Sequence, residues 1–245
     1  MSQILQDVKI LPLGKNINIA VCGEHTFGTD AILLADFANI KRKDKACDLG
    51  TGCGIIPLLW CKNEVSSILA IDIQQKAHEL LKYSIELNSI SNLKPLCADL
   101  RNLPKELEFG RFDLVTMNPP YKPVGTGIQS MSEAEKIARH EVMCSLEDLA
   151  QCANKLLKFG GRLCLCHRPE RLCDIIVALR NRGIEVKKIR FVAKNEGKQP
   201  WLVLVEGRKG GKSGLTVMQN LLMKDESGKE SEEVKKIFAD YIINE

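Results

Sequence analysis

The sequence predicts an α/β protein built on a doubly wound, seven-stranded, mostly parallel sheet with a C-terminal antiparallel hairpin. Three observations predict this. From Cys47 onward, short apolar runs alternate with segments of 3.6-residue periodicity, the pattern of repeated β-α units. The first run ends in a glycine-rich turn, "CDLGTGCG" (Cys47 to Gly54). The last two runs have no helical segment between them, so they can neighbour each other only as an antiparallel pair.

Each element follows from its own residues. "TDAILLADFANI" (29–40) has helical spacing, with Thr29 or Asp30 available as its cap. "KACDLG" (45–50) is the first strand of the sheet, and "GIIPLLWCKN" (54–63) the helix after it. Pro57 is tolerated there because it falls in the first turn. "SSILAIDI" (66–73) and "LKPLCADL" (93–100) are strands on either side of the amphipathic helix "QQKAHELLKYSIELNSI" (74–90). "FDLVTMN" (112–118) is the fourth strand, stopped by Pro119 and Pro120, which cannot continue a ladder. "SLEDLAQCANKLLKFGG" (145–161) reads as a helix closed by Gly160 and Gly161. The strand "RLCLCH" (162–167), a helix ended by Gly183, and the strands "EVKKIRFVA" (185–193) and "PWLVLVEG" (200–207) complete the pattern. The charged end is expected to form a surface helix packed through Val234, Ile237 and Tyr241. Three segments result: an extension with an entrance helix (1–45), the sheet domain (46–215) and a charged tail (216–245).

Composition narrows the class. The 245 residues are 44% hydrophobic and 27% charged, an ordinary globular balance. A formal net charge of +4 suits a polyanionic partner without requiring one. No run of 18 apolar residues spans a bilayer, and no secretory signal is visible. Most of the ten cysteines sit in apolar segments, so they read as reduced core residues of a cytoplasmic protein. In "CLCH" (164–167), Cys164 and Cys166 share a strand face and no second ligand pair has plausible spacing, so no metal is expected.

The glycine turn carries the first functional signal. Gly50, Gly52 and Gly54 would let the backbone approach a ligand at the carboxyl ends of the strands. Asp48 precedes the turn, Asp72 ends the second strand 24 positions later, and Asp99 ends the third. Such a set suits a nucleoside, with Asp72 on the ribose hydroxyls, Asp99 near an adenine amine, and Thr51, Ile73 and Leu100 alongside. A dinucleotide fits poorly: the spacing is G-x-G-x-G, and Asp48 would repel phosphate. S-adenosyl-L-methionine, with a sulfonium and an ammonium, fits the carboxylates better.

"DLGTGCG", "AIDI", "CADL" and "NPPY" together resemble the class I S-adenosylmethionine-dependent methyltransferases of the amino-group type, with a Rossmann-like sheet. The resemblance runs from Phe27 to Gly214. It implies that the Asn118 side-chain oxygen and the Pro119 carbonyl each accept a hydrogen bond from the target amine. Pro120 would keep that carbonyl turned outward, and Tyr121 would stack on a planar substrate. Phe27, Thr29 and Asp30 would border the methionine end of the cofactor, although capping explains Thr29 and Asp30 equally well. The loop that begins at Lys122 would close over substrate, with Arg139 and His140 near the entrance.

"FGTDAILLADFA", "IARHE" and "PWLVLVEGRKGGKSGLTV" make the chain similar to the bacterial valine-tRNA adenine-N6 methyltransferase family, which modifies an adenine beside the anticodon. That resemblance implies tRNA as partner; no membrane is expected, and no DNA, because the remaining length is too short for a large target-recognition domain. A protein glutamine N5-methyltransferase and an rRNA guanine-N2 methyltransferase are the alternatives. In "GRKGGKSG", Arg208, Lys209 and Lys212 are read as phosphate contacts, supported by Lys187, Lys188 and Arg190 on a nearby edge strand. Oligomeric state is left open.

Overall fold

The computed structural model describes residues 7–14, 17–23, 25–119 and 144–241. The readings of Pro120, Tyr121, Lys122, Arg139 and His140, and of the Tyr241 side chain, fall outside the described residues.

Strands β1 (Lys9–Leu13) and β2 (Ile17–Val21) form an antiparallel pair ahead of the entrance helix α1 (Thr29–Phe37). The sheet begins with β3 (Lys45–Leu49), α2 (Ile55–Trp60), β4 (Ser67–Asp72), α3 (Gln75–Leu87) and β5 (Leu93–Cys97). It continues with β6 (Phe112–Met117), α4 (Leu146–Leu156), β7 (Leu157–His167), α5 (Leu172–Asn181), β8 (Ile184–Ala193) and β9 (Leu202–Lys209). Two-residue strands β10 (Thr216–Val217) and β11 (Leu221–Leu222) and the helix α6 (Glu232–Tyr241) follow.

The order is β5-β4-β3-β6-β7-β9-β8-β10, with β11 also paired to β8. β5, β4, β3, β6 and β7 are mutually parallel, while β9 runs antiparallel to both β7 and β8. Among the described residues the sheet holds nine strands where seven were expected. The two extra ones pair over two residues each, too short for a period-2 pattern to reveal. The chain order reverses between β3 and β6, which opens the crevice where ligands bind in such sheets.

One boundary is corrected. α4 ends at Leu156, four residues before the glycines expected to close it, and β7 starts at once. Phe112 is opposite Leu157 and Leu114 is opposite Arg162, so residues 158–161 bulge out of the ladder. Gly161 belongs in this bulge, because a Cβ there would lie 2.9 Å from the carbonyl oxygens of both Lys158 and Phe112. At the other end, Ser145 and Asp148 cap α4 reciprocally, each side chain accepting the other's backbone N–H.

The sheet buries both faces. α1, α2 and α6 cover one, where Leu33, Leu58, Leu204, Val234 and Ile237 share a core. α4 and α5 cover the other, around Val115, Leu156, Leu163 and Leu179. Leu13 and Ile19 of the β1–β2 pair join the first core, as do Val234 and Ile237 of α6. The tail thus packs on the same face as the entrance helix, and its Glu233 takes a hydrogen bond from Arg190 at 2.7 Å.

Candidate active site

The carboxyl ends of β3 and β6 and the start of α1 enclose a cleft of about 250 Å³. Phe27, Asp30, Asp48, Gly50, Thr51, Gly52 and Asn118 line it, together with Thr26, Gly28, Ala31, Cys53, Ile55 and Ile56. Seven of the residues singled out from the sequence thus meet in one place.

Register explains why. Asp48 on β3 is opposite Thr116 on β6, so their side chains share a face. The Thr116 hydroxyl donates to Asp48 Oδ1 at 2.6 Å, with both residues buried. Burial lifts the Asp48 carboxyl to about 7; the Thr116 bond pulls it down, and the nearby Asp72 charge pushes it up. The Thr51 hydroxyl sits close enough to Asp48 to favour its charged form, yet makes no well-formed hydrogen bond.

The glycines divide into two kinds. Gly50 (φ 66°) and Gly52 (φ 55°) turn the backbone through the left-handed region, and a Cβ on either would meet open space. Their freedom serves the turn that lines the cleft. Gly54 differs: it is not among the residues lining the cleft, and a Cβ there would overlap Leu81 of α3. It is a packing glycine.

Asp72 holds the turn from behind. Its Oδ2 accepts from Gly52 N at 2.8 Å and its Oδ1 from Gln74 N at 2.9 Å. Asp99 lies two residues past β5, outside the cleft lining, and Arg101 grips both its oxygens. The Arg101 guanidinium holds the Asp99 carboxyl below the usual range. Thr29, Ile73 and Leu100 also lie off the cleft lining. Thr29 is the first residue of α1, which is capped by Gly28 rather than by Thr29 or Asp30.

Asn118 follows the last residue of β6. Its Nδ2 donates to Asp30 Oδ2, and its Oδ1 accepts from the Cys166 thiol, both at 3.1 Å. Cys166 was read as core packing alone; it is core, at 0% exposure, and also touches Asn118. Thr116 was missed as well. Its signal was parity, since it lies in β6 two residues before Asn118.

The basic loop lies apart from the cleft. β9 runs antiparallel, so Arg208 is opposite Arg162, and Arg162 is opposite Leu114, four residues before Asn118. Arg208, Lys209 and Lys212 therefore emerge at the end of the sheet away from the cleft. Arg208 Nε donates to Gly160 O at 3.0 Å. Lys209 Nζ donates to the Asn154 and Leu157 carbonyls at 2.6 and 2.8 Å, closing the end of α4. The Lys212 carbonyl accepts from Lys187, Lys188 faces Glu206, and Arg190 binds Glu233 and the Gln219 carbonyl. The side chains of Lys187, Lys188, Arg190, Arg208 and Lys209 thus make contacts within the fold, while Lys212 contributes its carbonyl.

All ten cysteines are free thiols. Among the described residues no group of His, Cys, Asp and Glu converges on a metal site, and no helix is long and apolar enough to cross a membrane.

A doubly wound sheet with a glycine turn and an Asn-Pro corner on one crevice defines a nucleoside-binding α/β enzyme. The chain belongs to the methyltransferase small domain family, whose model matches residues 23–171. It is 28% identical over 230 residues to the tRNA1(Val) (adenine(37)-N6)-methyltransferase of Histophilus somni, covering 89% of this chain and 90% of the relative. Among solved structures, a protein described as a predicted O-methyltransferase from Agrobacterium tumefaciens superposes with a TM-score of 0.70 at 23% identity, over 88% of this chain and 98% of that one. An S-adenosylmethionine-dependent methyltransferase from Aquifex aeolicus does so with a TM-score of 0.54 at 16% identity, over 74% and 89%. These likenesses show the Rossmann-like methyltransferase fold.

The cleft suits S-adenosylmethionine. It offers the carboxyl groups of Asp30 and Asp48 to a cation, an unpartnered Thr51 hydroxyl, and an open glycine turn for a nucleoside.

Proposed function

We propose that this protein methylates the exocyclic N6 amine of an adenine in tRNA, using S-adenosylmethionine. The proposed base is adenine 37 of valine tRNA, the substrate named for the Histophilus somni relative. The observation that carries the reading is Asn118: a carboxamide at the end of a central strand, on the wall of the cofactor cleft, with its oxygen side facing away from Asp30.

The cofactor supplies a methyl group on a sulfonium. The protein positions the acceptor. Asn118 Oδ1 and the Pro119 carbonyl accept from the two N–H bonds of the amine, which draws the nitrogen lone pair out of conjugation with the ring. Tyr121 stacks on the base. Ionised Asp48 favours a cationic cofactor over its neutral product. The amine loses its proton after transfer, from an already cationic nitrogen, so no general base is needed beforehand. Catalysis is then positioning and electrostatics. A tRNA substrate implies a cytoplasmic enzyme.

The test is transfer from labelled S-adenosylmethionine to unmodified tRNA, with nucleoside analysis of an anticodon-loop fragment. N6-methyladenosine is expected, and Asn118→Ala should lower turnover at least about a hundredfold while cofactor affinity holds. Label in protein glutamine or rRNA guanine, with none in tRNA, refutes the substrate. Full activity in Asn118→Ala refutes the corner.

A further inference from the structure

We propose that Asp30 and Cys166 are positioning residues that together fix which way the Asn118 carboxamide faces. The inference rests on the reading of Asn118 as the group that receives the amine. A carboxamide has two flips of nearly equal shape, and only one presents oxygen to an N–H donor. In the wrong flip, Asn118 would point its own N–H bonds at the amine's hydrogens. Something must choose.

Asp30 makes the choice. Its Oδ2 takes the accepting role, and the Asn118 atom that donates to it, at 3.1 Å, is Nδ2. Asp30 is itself pinned, because its Oδ1 accepts from Ala31 N at 3.0 Å. The glycine before α1 makes room for this: a Cβ on Gly28 would lie 2.6 Å from Asp30 Oδ1. Cys166 completes the clamp from the other side, its thiol donating to Asn118 Oδ1 at 3.1 Å. A thiol is a weak donor and a weak acceptor, so alone it would tolerate either flip. Beside Asp30 it steadies the oxygen in the flip that can accept from an amine. Cys166 is fully buried and held in the β7–β9 ladder opposite Leu204, so it does not wander. It lies outside the cleft lining, which separates its role from cofactor binding.

The test measures turnover with saturating S-adenosylmethionine and unmodified tRNA, alongside cofactor affinity and melting temperature, for Cys166→Ala, Cys166→Ser, Asp30→Asn and Asn118→Ala. Losing one neutral hydrogen bond that acts at the transition state should lower kcat about fivefold in Cys166→Ala, with cofactor affinity unchanged. Cys166→Ser keeps a donor and should return kcat to within about twofold of the parent. Asp30→Asn accepts either flip of Asn118 and should lower kcat about tenfold even at saturating cofactor. Parental kcat in Cys166→Ala overturns the clamp. So does a Cys166→Ser variant that melts like the parent yet turns over like Cys166→Ala, which would make the site one of packing. If Asn118→Ala itself stays active, the reading of the corner fails first and the clamp falls with it.

Discussion

Thr116→Val tests the electrostatics of the cleft with almost no change in shape. The Thr116 hydroxyl donates to a buried Asp48 carboxyl at 2.6 Å, and burial has already raised that carboxyl to about 7. A hydrogen bond to a charged group contributes about 1.5–3 kcal/mol. At about 1.36 kcal/mol per pKa unit, its loss should lift Asp48 by roughly one to two units, to about 8–9. The sign follows from linkage. A folded value above the ordinary one stabilises the free protein at acid pH, and that contribution is lost as pH rises from about 4 through about 7. A bound cation favours the carboxylate, so cofactor affinity should rise with pH across the same upper range. At pH 7 the ionised fraction would drop from about one half to between roughly 10% and 1%, weakening S-adenosylmethionine binding about five- to fiftyfold. Near pH 9.5 the two proteins should differ much less. Isothermal titration from pH 6 to 9.5 reads this directly. Parallel pH profiles for parent and variant would refute the argument that Asp48 charge governs the cleft.

Other consequences follow from packing. Gly54→Ala should destabilise by about 3 kcal/mol or more, since left-handed strain adds to overlap with Leu81, whereas Gly50→Ala, in open space, should cost about 1–2 kcal/mol; urea unfolding separates them. Lys209→Met should cost about 1–2 kcal/mol through the exposed end of α4 and leave tRNA affinity within about twofold, as measured by unfolding and filter binding. Ile237→Ala should cost roughly 2–4 kcal/mol by thermal unfolding, because its side chain is buried against the face that holds α1; a shift under about 0.5 kcal/mol would show that α6 is dispensable.

The strands and helices around the site were legible because their signals are local. Asp48, Gly50 and Gly52 sit in one turn, and Asn118 stands where two prolines must end a strand. The end of α4 was not legible. "KLLKFGG" keeps helical spacing, and only the pairing of Leu157 with Phe112 turns it into a strand. The same limit hid the division of labour among the glycines, because the overlap that forbids a Cβ at Gly54 comes from Leu81, far along the chain. Asp99 shows a third kind of miss. Its place near a strand end was readable, but an arginine two residues on could claim it or leave it free.

Parity and polarity together settle what may touch what. Asp48 is opposite Thr116, and Thr116 is opposite Cys164. With a period of two along each strand, Asn118 and Cys166 must then fall on that same face, one pair nearer the carboxyl ends. A single registered sheet thus forces four polar groups into one corner, though no two of them are close in sequence except Thr116 and Asn118. Polarity does the opposite for the basic loop. Because β9 returns antiparallel, residues that follow it in sequence leave the sheet at the end remote from Asn118. Exposed cations that leave it on the cleft's side include Arg101, paired with Asp99, and Arg168, Lys194 and Lys198, which follow β7 and β8. If the proposed RNA reaches Asn118, its phosphates pass that end of the sheet. Charge reversal at Lys194 and Lys198 should therefore weaken tRNA binding and flatten its salt dependence, and the same change at Arg208 and Lys212 should not.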